Sequence, residues 1–191
     1  TNNCGQVLPH AKVTICNQNG EILAPGKIGV INIKADSLAL GYYPNLPLRK
    51  ESGKKKVFQP DDLGFFDDRG YLNIIGRNSN KIITGGENVF PSEVEAAIQS
   101  TNLVTDVCVI GLPDCHWGQV VTAIYVPKYP QVSTDILQTE IQHKLSKFKR
   151  PKNWFSVESL PRNSQGKINY EQLNQLAMMW RLLHATDAAI E

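Results

Sequence analysis

Short alternating runs broken by turn residues fill the first third of the chain. Residues 12–16 (KVTIC) alternate and stop at Asn17-Gln18-Asn19-Gly20, and residues 29–34 (GVINIK) alternate again after Pro25-Gly26. A period of two punctuated by Gly, Pro and Asn predicts short β-strands. Residues 63–66 and 71–75 are two further apolar runs around Asp67-Asp68-Arg69-Gly70, the composition of a hairpin turn. Together these runs suit a small barrel or a distorted sheet. Between them, residues 38–47 read as an irregular loop and the basic run at 49–56 (RKESGKKK) as a solvated one.

After a short polar link at 77–81 the pattern changes. A strand over 81–84 meets the tight turn Gly85-Gly86, and Pro91-Ser92-Glu93 opens a helix whose apolar stripe is Val94, Ala97 and Ile98. Residues 104–112 and 118–127 predict strands, the second apolar enough for burial on both faces. Ser133 can cap a helix running to about Leu145. Residues 153–157 predict a strand, and 170–183 a last helix that leads into a helical tail at 177–191. The second unit, 82–176, is therefore read as α+β with strands separated by helices.

Composition narrows the class. Of 191 residues, 41% are apolar and 20% charged, which fits a globular protein and excludes a disordered one. No window reaches the roughly 20 apolar residues of a membrane helix, and no basic-then-apolar leader is visible. Basic stretches at 49–56 and 144–152 raise an RNA-binding reading, but the net charge of +2 gives it no support. The four cysteines, Cys4, Cys16, Cys108 and Cys115, include no CxxC pair and no zinc spacing. Reduced thiols in a cytoplasmic protein are the plainer reading. The four histidines are scattered, and none are paired at i, i+4.

Several positions carry possible chemistry, each with a bland alternative. Gly85-Gly86-Glu87-Asn88 can bring backbone close to a ligand ahead of a helix start, or can be an ordinary turn. Lys167, on the Gly-containing loop Pro161-Arg162-Asn163-Ser164-Gln165-Gly166, can neutralise a phosphate, or can be a surface lysine. Asp61-Asp62 can bind a metal or sugar hydroxyls, or can be part of a loop or turn. Arg77 can reach the same sugar or a phosphate.

The order decides among these readings. Asp62, Gly70, Gly76-Arg77, Gly85-Gly86-Glu87-Asn88, Pro91, Glu93-Val94-Glu95, Pro161 and Gly166-Lys167 follow one another as in the C-terminal part of the adenylate-forming superfamily, which the chain resembles from about Gly5 to about Leu176. The superfamily includes acyl-CoA and aryl-CoA ligases, peptide-synthetase adenylation domains and luciferases. The resemblance implies a carboxylate attacking ATP to give an acyl-adenylate, then a thiol, usually that of CoA, displacing AMP. It also implies that residues 1–76 are a small distorted β-barrel subdomain of the large domain, followed by a C-terminal lid that swivels between the two steps.

Residue by residue, the resemblance makes Asp62 the ribose-binding carboxylate and Arg77 its neighbour at ribose or phosphate. Lys167 becomes the lysine that bridges the acid and the α-phosphate. Gly85, Gly86 and Glu87 would line the pantetheine tunnel, and Lys149 would lie near the CoA nucleotide. The pivot would be Asn80 or Lys81, with Asn80 favoured because Asn tolerates unusual backbone angles. Many members have Asp at position 80, and most read Thr-Gly-Asp where this chain has Pro60-Asp61-Asp62. The phosphate loop, the adenine and Mg²⁺ grip, and the acid pocket of the superfamily are not found in these residues. The chain is therefore expected to be the C-terminal piece of a ligase, most like the small-acid and aryl-acid CoA ligases. Its partners would be an N-terminal adenylation domain, ATP with Mg²⁺, CoA and a small carboxylic acid, and alone it would be inactive. A non-catalytic binding module and an inactive paralogue are the rival readings.

Overall fold

The computed structural model describes residues 3–39 and 57–187, so most of the 38–47 loop and all of the basic run at 49–56 lie outside it. The chain divides into two compact units, Thr1–Ser79 and Asn80–Glu191. In the first, β1 (Asn3–Gly5), β2 (Ala11–Cys16), β3 (Gly29–Ala35), β4 (Asp62–Phe66) and β5 (Leu72–Arg77) form one antiparallel sheet in the order β1-β5-β4-β3-β2. Its core is small, with Ile15, Cys16, Ile31 and Leu63 buried. The β4–β5 hairpin turns where the sequence places it. The Asp67 carboxylate accepts the N–H groups of Arg69 and Tyr71, and Gly70 takes a φ of 76°. The anticipated barrel is not closed among the described residues: β1 and β2 are the two edges of an open sheet.

The second unit is built on a long antiparallel hairpin, β8 (Val104–Asp114) and β9 (Gly118–Pro127), paired along its whole length. β9 also pairs in parallel with β10 (Asn153–Ser156) and, through Gly118, with β6 (Ile82–Thr84), beyond which lies β7 (Glu87–Val89). α1 (Pro91–Gln99) and α2 (Thr134–Ile141) cover one face of the sheet, and α3 (Tyr170–Asp187) covers the other. Val120 through Tyr125 are buried without a break, which is what the continuous apolar run requires. Alternation on β8 sorts the core. Val107 and Val109 face α1 and α2, while Cys108, Ile110 and Leu112 face Leu173 and Ala177 of α3.

Three expectations are corrected. The strands are not all separated by helices, since β6–β7 and β8–β9 are direct hairpins. α2 ends at Ile141 instead of running to Leu145, and Leu145 is buried from the turn that follows. Glu87 and Asn88, expected in the Gly85-Gly86 turn, belong to the strand Glu87–Val89. Its three residues are too short a run for periodicity to register. No disulfide joins any of the four cysteines; Cys16 and Cys108 are buried, Cys4 and Cys115 exposed. None of the described helices is long and apolar enough to cross a membrane.

Among the described residues β8 pairs only with β9, so N–H groups along its other edge need partners. The Glu95 carboxylate of α1 accepts that of Val109 at 2.8 Å, and the Asp106 side chain accepts that of Val107 at 3.0 Å. Burial pushes the Glu95 carboxyl above its ordinary value, partly offset by the bond from Val109. A carboxyl raised in the folded state holds its proton longer there than in the unfolded chain, so stability falls as pH rises through the folded value. Glu95→Gln keeps an acceptor for Val109 without the buried charge. It should remove that loss and be at least as stable as the parent above neutrality in urea melts across pH. Glu95→Ala, which strips Val109 of its acceptor, should cost about 1–3 kcal/mol at low pH, where the parent carboxyl is neutral, and less once that carboxyl is charged.

Candidate functional site

Each unit carries its own cluster. In the first, Asp62 opens β4 and Arg77 closes β5, and the register sets them opposite one another. Their charged groups are 3.8 Å apart on an exposed surface, a loose pair that leaves both side chains available. Asp61 holds this end in shape. It takes a φ of 66°, the left-handed region that glycine favours, and its backbone and side-chain oxygens accept the N–H groups of Asn78 and Ser79. This is the place where the superfamily pattern has glycine. The departure at Pro60-Asp61 therefore keeps a glycine-like backbone and adds a carboxylate that ties down the start of the polar link. A single 3-10 turn, Asn78–Asn80, forms that link, and the boundary between units falls between Ser79 and Asn80.

In the second unit, Gly85 and Gly86 form the two-residue tip of the β6–β7 hairpin, with φ of 57° and 85°, the doubly left-handed turn that matches strand twist. The pair does not abut a helix N-terminus as expected, because β7 separates it from α1. Glu87 and Asn88 are exposed on β7. The hairpin tip rests on the β8–β9 turn, where the Gly85 N–H donates to the Trp117 carbonyl at 2.9 Å. A Cβ on Gly85 would come within 2.8 Å of the Trp117 ring, whereas one on Gly86 would meet nothing.

Trp117 and Lys152 complete this cluster, and neither was singled out as a candidate from the sequence. The Lys152 ammonium lies 3.5 Å from the centroid of the Trp117 ring, itself 42% exposed. The turn is rigid. Asp114 accepts the N–H groups of His116 and Trp117 and takes Arg181 of α3 at 2.8 Å. The bonds from Trp117 and His116 hold the Asp114 carboxyl below the usual carboxylate range, with Arg181 adding to them. The available signal was a tryptophan inside the polar turn Asp114-Cys115-His116, between two apolar runs. Lys149 is placed otherwise. Its ammonium pairs with both carboxylate oxygens of Glu93 at 2.6 and 2.8 Å, so its charge is already matched.

Lys167 sits on a turn of its own. The Asn163 side chain accepts the N–H groups of Gln165 and Lys167, the Asn163 N–H donates to the Lys167 carbonyl, and Gly166 takes a φ of 77°. The Lys167 side chain is exposed. The turn is fastened to β8 at Asp106, through Arg162, while the Gly85–Trp117 cluster is fastened at Asp114. Eight residues of extended strand separate those two anchors, roughly 26 Å at the usual rise. The two clusters thus occupy opposite ends of one rigid hairpin.

Residues 93–167 match the family model of the AMP-binding enzyme C-terminal domain. The chain is 36% identical over 159 residues to a 2-succinylbenzoate–CoA ligase of Bacillus velezensis, covering 83% of this chain and 32% of that protein. It is 30% identical over 174 residues to an indoleacetate–CoA ligase of Aromatoleum aromaticum, covering 90% of this chain and 34% of that one. Among solved structures it resembles the o-succinylbenzoate CoA synthetase MenE from Bacillus subtilis, in complex with the acyl-adenylate intermediate OSB-AMP. The TM-score is 0.81 at 31% identity, over 90% of this chain and 35% of that one. The chain spans about a third of the length of the curated relatives it matches.

Gly85→Ala should force the Trp117 ring aside and impose a left-handed Cβ, at a cost of about 1–2 kcal/mol or more. Gly86→Ala should carry the backbone cost alone. Urea midpoints with the near-ultraviolet circular dichroism of the tryptophans separate the two, the signal changing in the first variant and not in the second. With its motifs in superfamily order and residues 93–167 matching the family model, this chain carries the C-terminal domain of the AMP-binding, adenylate-forming enzymes.

Proposed function

We propose that this chain is the C-terminal part of an AMP-forming acid–CoA ligase. The observation that carries this reading is the separation of Lys167 from the Gly85–Trp117 cluster at the two ends of the β8–β9 hairpin. A two-step reaction with different needs in each step suits a domain with two working ends. In the first step a carboxylate oxygen attacks the α-phosphorus of ATP, and pyrophosphate leaves. Both reactants are anionic, and an exposed ammonium on a fixed turn is the group that offsets the charge between them. In the second step a thiol attacks the acyl carbon and AMP leaves. A hairpin tip with no side chains lets a thin pantetheine arm pass, with Trp117 and Lys152 beside it to meet a base or a phosphate.

Asp62 fits ribose, since one carboxylate can accept from two vicinal hydroxyls, and Arg77 lies beside it for a phosphate. Lys149 keeps its expected place near the CoA nucleotide only by giving up Glu93. The resemblance gives the Mg²⁺ grip to the N-terminal domain, so no role in Mg²⁺ binding is proposed for these residues. The domain boundaries follow the same reading. Residues 1–76 complete the large adenylation domain, 82–176 form the lid, and Asn80, at the head of the second unit, is the pivot on which one end or the other is presented. The acid is read as 2-succinylbenzoate, whose thioester serves menaquinone or phylloquinone synthesis. The names of the Bacillus relatives support that choice, while the indoleacetate–CoA ligase shows that a similar chain serves another acid.

The experiment is pyrophosphate release by the full-length protein that carries this chain, across a panel of carboxylic acids, with and without CoA. Turnover of 2-succinylbenzoate alone supports reaction and substrate together. Turnover of another acid keeps the reaction and discards the substrate, and none with any acid removes the ligase reading in favour of a non-catalytic module. In the same protein, Lys167→Ala should slow adenylate formation by about 10²–10³-fold while sparing thioester formation from supplied acyl-adenylate. Asn80→Pro, which fixes φ at the pivot, should slow overall turnover far more than it weakens ATP binding. Unchanged turnover would remove Asn80 from that role.

A further inference from the structure

The backbone around Lys167 is held more firmly than an exposed loop requires. The loop is closed at its neck, where the Asn169 N–H donates to the Pro161 carbonyl at 2.8 Å. Inside it the Gly166–Lys167 peptide group is fixed at both polar atoms. Its N–H donates to the Asn163 side chain at 3.0 Å, and its carbonyl accepts from Arg162 Nη1 at 2.8 Å. The other guanidinium arm of Arg162 reaches Asp106 Oδ2 at 2.5 Å. Asp106 is itself fixed, since its other oxygen accepts the N–H of Val107 on the edge of β8. A rigid connection therefore runs from the central hairpin through Asp106 and Arg162 to the carbonyl immediately before Lys167.

Stability does not account for this pair. The Arg162 and Asp106 side chains are 44% and 32% exposed, and an ion pair at such a surface is worth about 0–1 kcal/mol. Its geometry matters more. The guanidinium is a planar fork with donors in fixed directions, so one residue can grip a carboxylate and a carbonyl together. The lysine stem beyond the fixed peptide is flexible, and only its root needs aiming. An error of about 1 Å in a positioned group can cost 10²-fold in rate.

We propose that Arg162, anchored by Asp106, is the positioning residue that aims Lys167 at the reacting phosphate. This rests on the role of Lys167 given above. Arg162 touches no substrate and acts through the Gly166 carbonyl. Its influence is confined to the step in which Lys167 takes part.

The test uses the full-length protein with Arg162→Ala, Arg162→Lys and Asp106→Asn, each first checked for an unchanged melting transition. Arg162→Ala should slow adenylate formation by about 10–100-fold, with the KM for ATP and for the acid within about twofold and thioester formation from supplied adenylate equally spared. Arg162→Lys keeps the charge without the fork and should stay closer to the alanine variant than to the parent, and Asp106→Asn should fall between. Hydrogen exchange of the segment containing Gly166 and Lys167 should quicken in Arg162→Ala. Adenylation at the parental rate, equal loss in both half-reactions, or unchanged exchange would each overturn the proposal. Lys167→Ala is assayed in parallel. If that variant adenylates normally, the role of Lys167 fails on its own evidence, and the exchange measurement still decides whether Arg162 holds the loop.

Discussion

The β8–β9 hairpin cannot be left exposed on either face. Six consecutive residues of β9, from Val120 to Tyr125, are buried, and both sides of the strand must be covered for that to hold. α1 and α2 meet the requirement on one side with Val94, Ile98, Leu137 and Ile141, and α3 meets it on the other with Leu173 and Ala177. Each of the Val, Leu and Ile side chains contributes about 1.5–3 kcal/mol when fully buried. Once both faces are occupied, only the ends and edges of the hairpin remain for chemistry, and both clusters of the second unit lie at the ends.

This arrangement also explains why the ends can be stiff while their working side chains are free. Asp106 and Asp114 sit near opposite ends of the same buried strand, and each takes an arginine from outside it, Arg162 and Arg181. α3 spans the interval. Its first residue, Tyr170, hydrogen-bonds the Cys108 thiol near the Lys167 loop, and its Arg181 closes on the tryptophan turn. The exposed groups, Lys167 at one end and Trp117 with Lys152 at the other, are thus carried on backbone that the core has already fixed. A domain built this way can be turned as a whole without either end losing its geometry.

Much of this could be read in the sequence where periodicity was long or turn chemistry strict. The buried run of β9, the α1 stripe and the Asp67–Gly70 turn appear as predicted, because each is a local rule with a clear spacing. The Glu87–Val89 strand was missed because three residues carry no period, and the early end of α2 because Leu145 continues an apolar spacing that the backbone has abandoned. The sheet edges of the first unit depend on long-range pairing that no local window contains. At the sites, motif order brought Asp62 and Arg77 into view together, and the register then set them opposite one another. The ion pair of Lys149 with Glu93 and the stacking of Lys152 on Trp117 join residues 56 and 35 positions apart, beyond any spacing rule. Arg162 was visible only as part of a loop, since its partner Asp106 lies on another element.

The thiols of the second unit differ in a way that bears on labelling. Burial, aided by the neighbouring Glu95 carboxylate, pushes the Cys108 thiol up to about 12, so it stays protonated and poorly nucleophilic at neutral pH. Cys115 is exposed on the turn that carries Trp117. An alkylating reagent therefore has one exposed thiol in this unit, two residues from the indole. Once the exposed Cys4 of the first unit is replaced, a fluorophore or spin label attached there would report on whatever approaches that end of the hairpin.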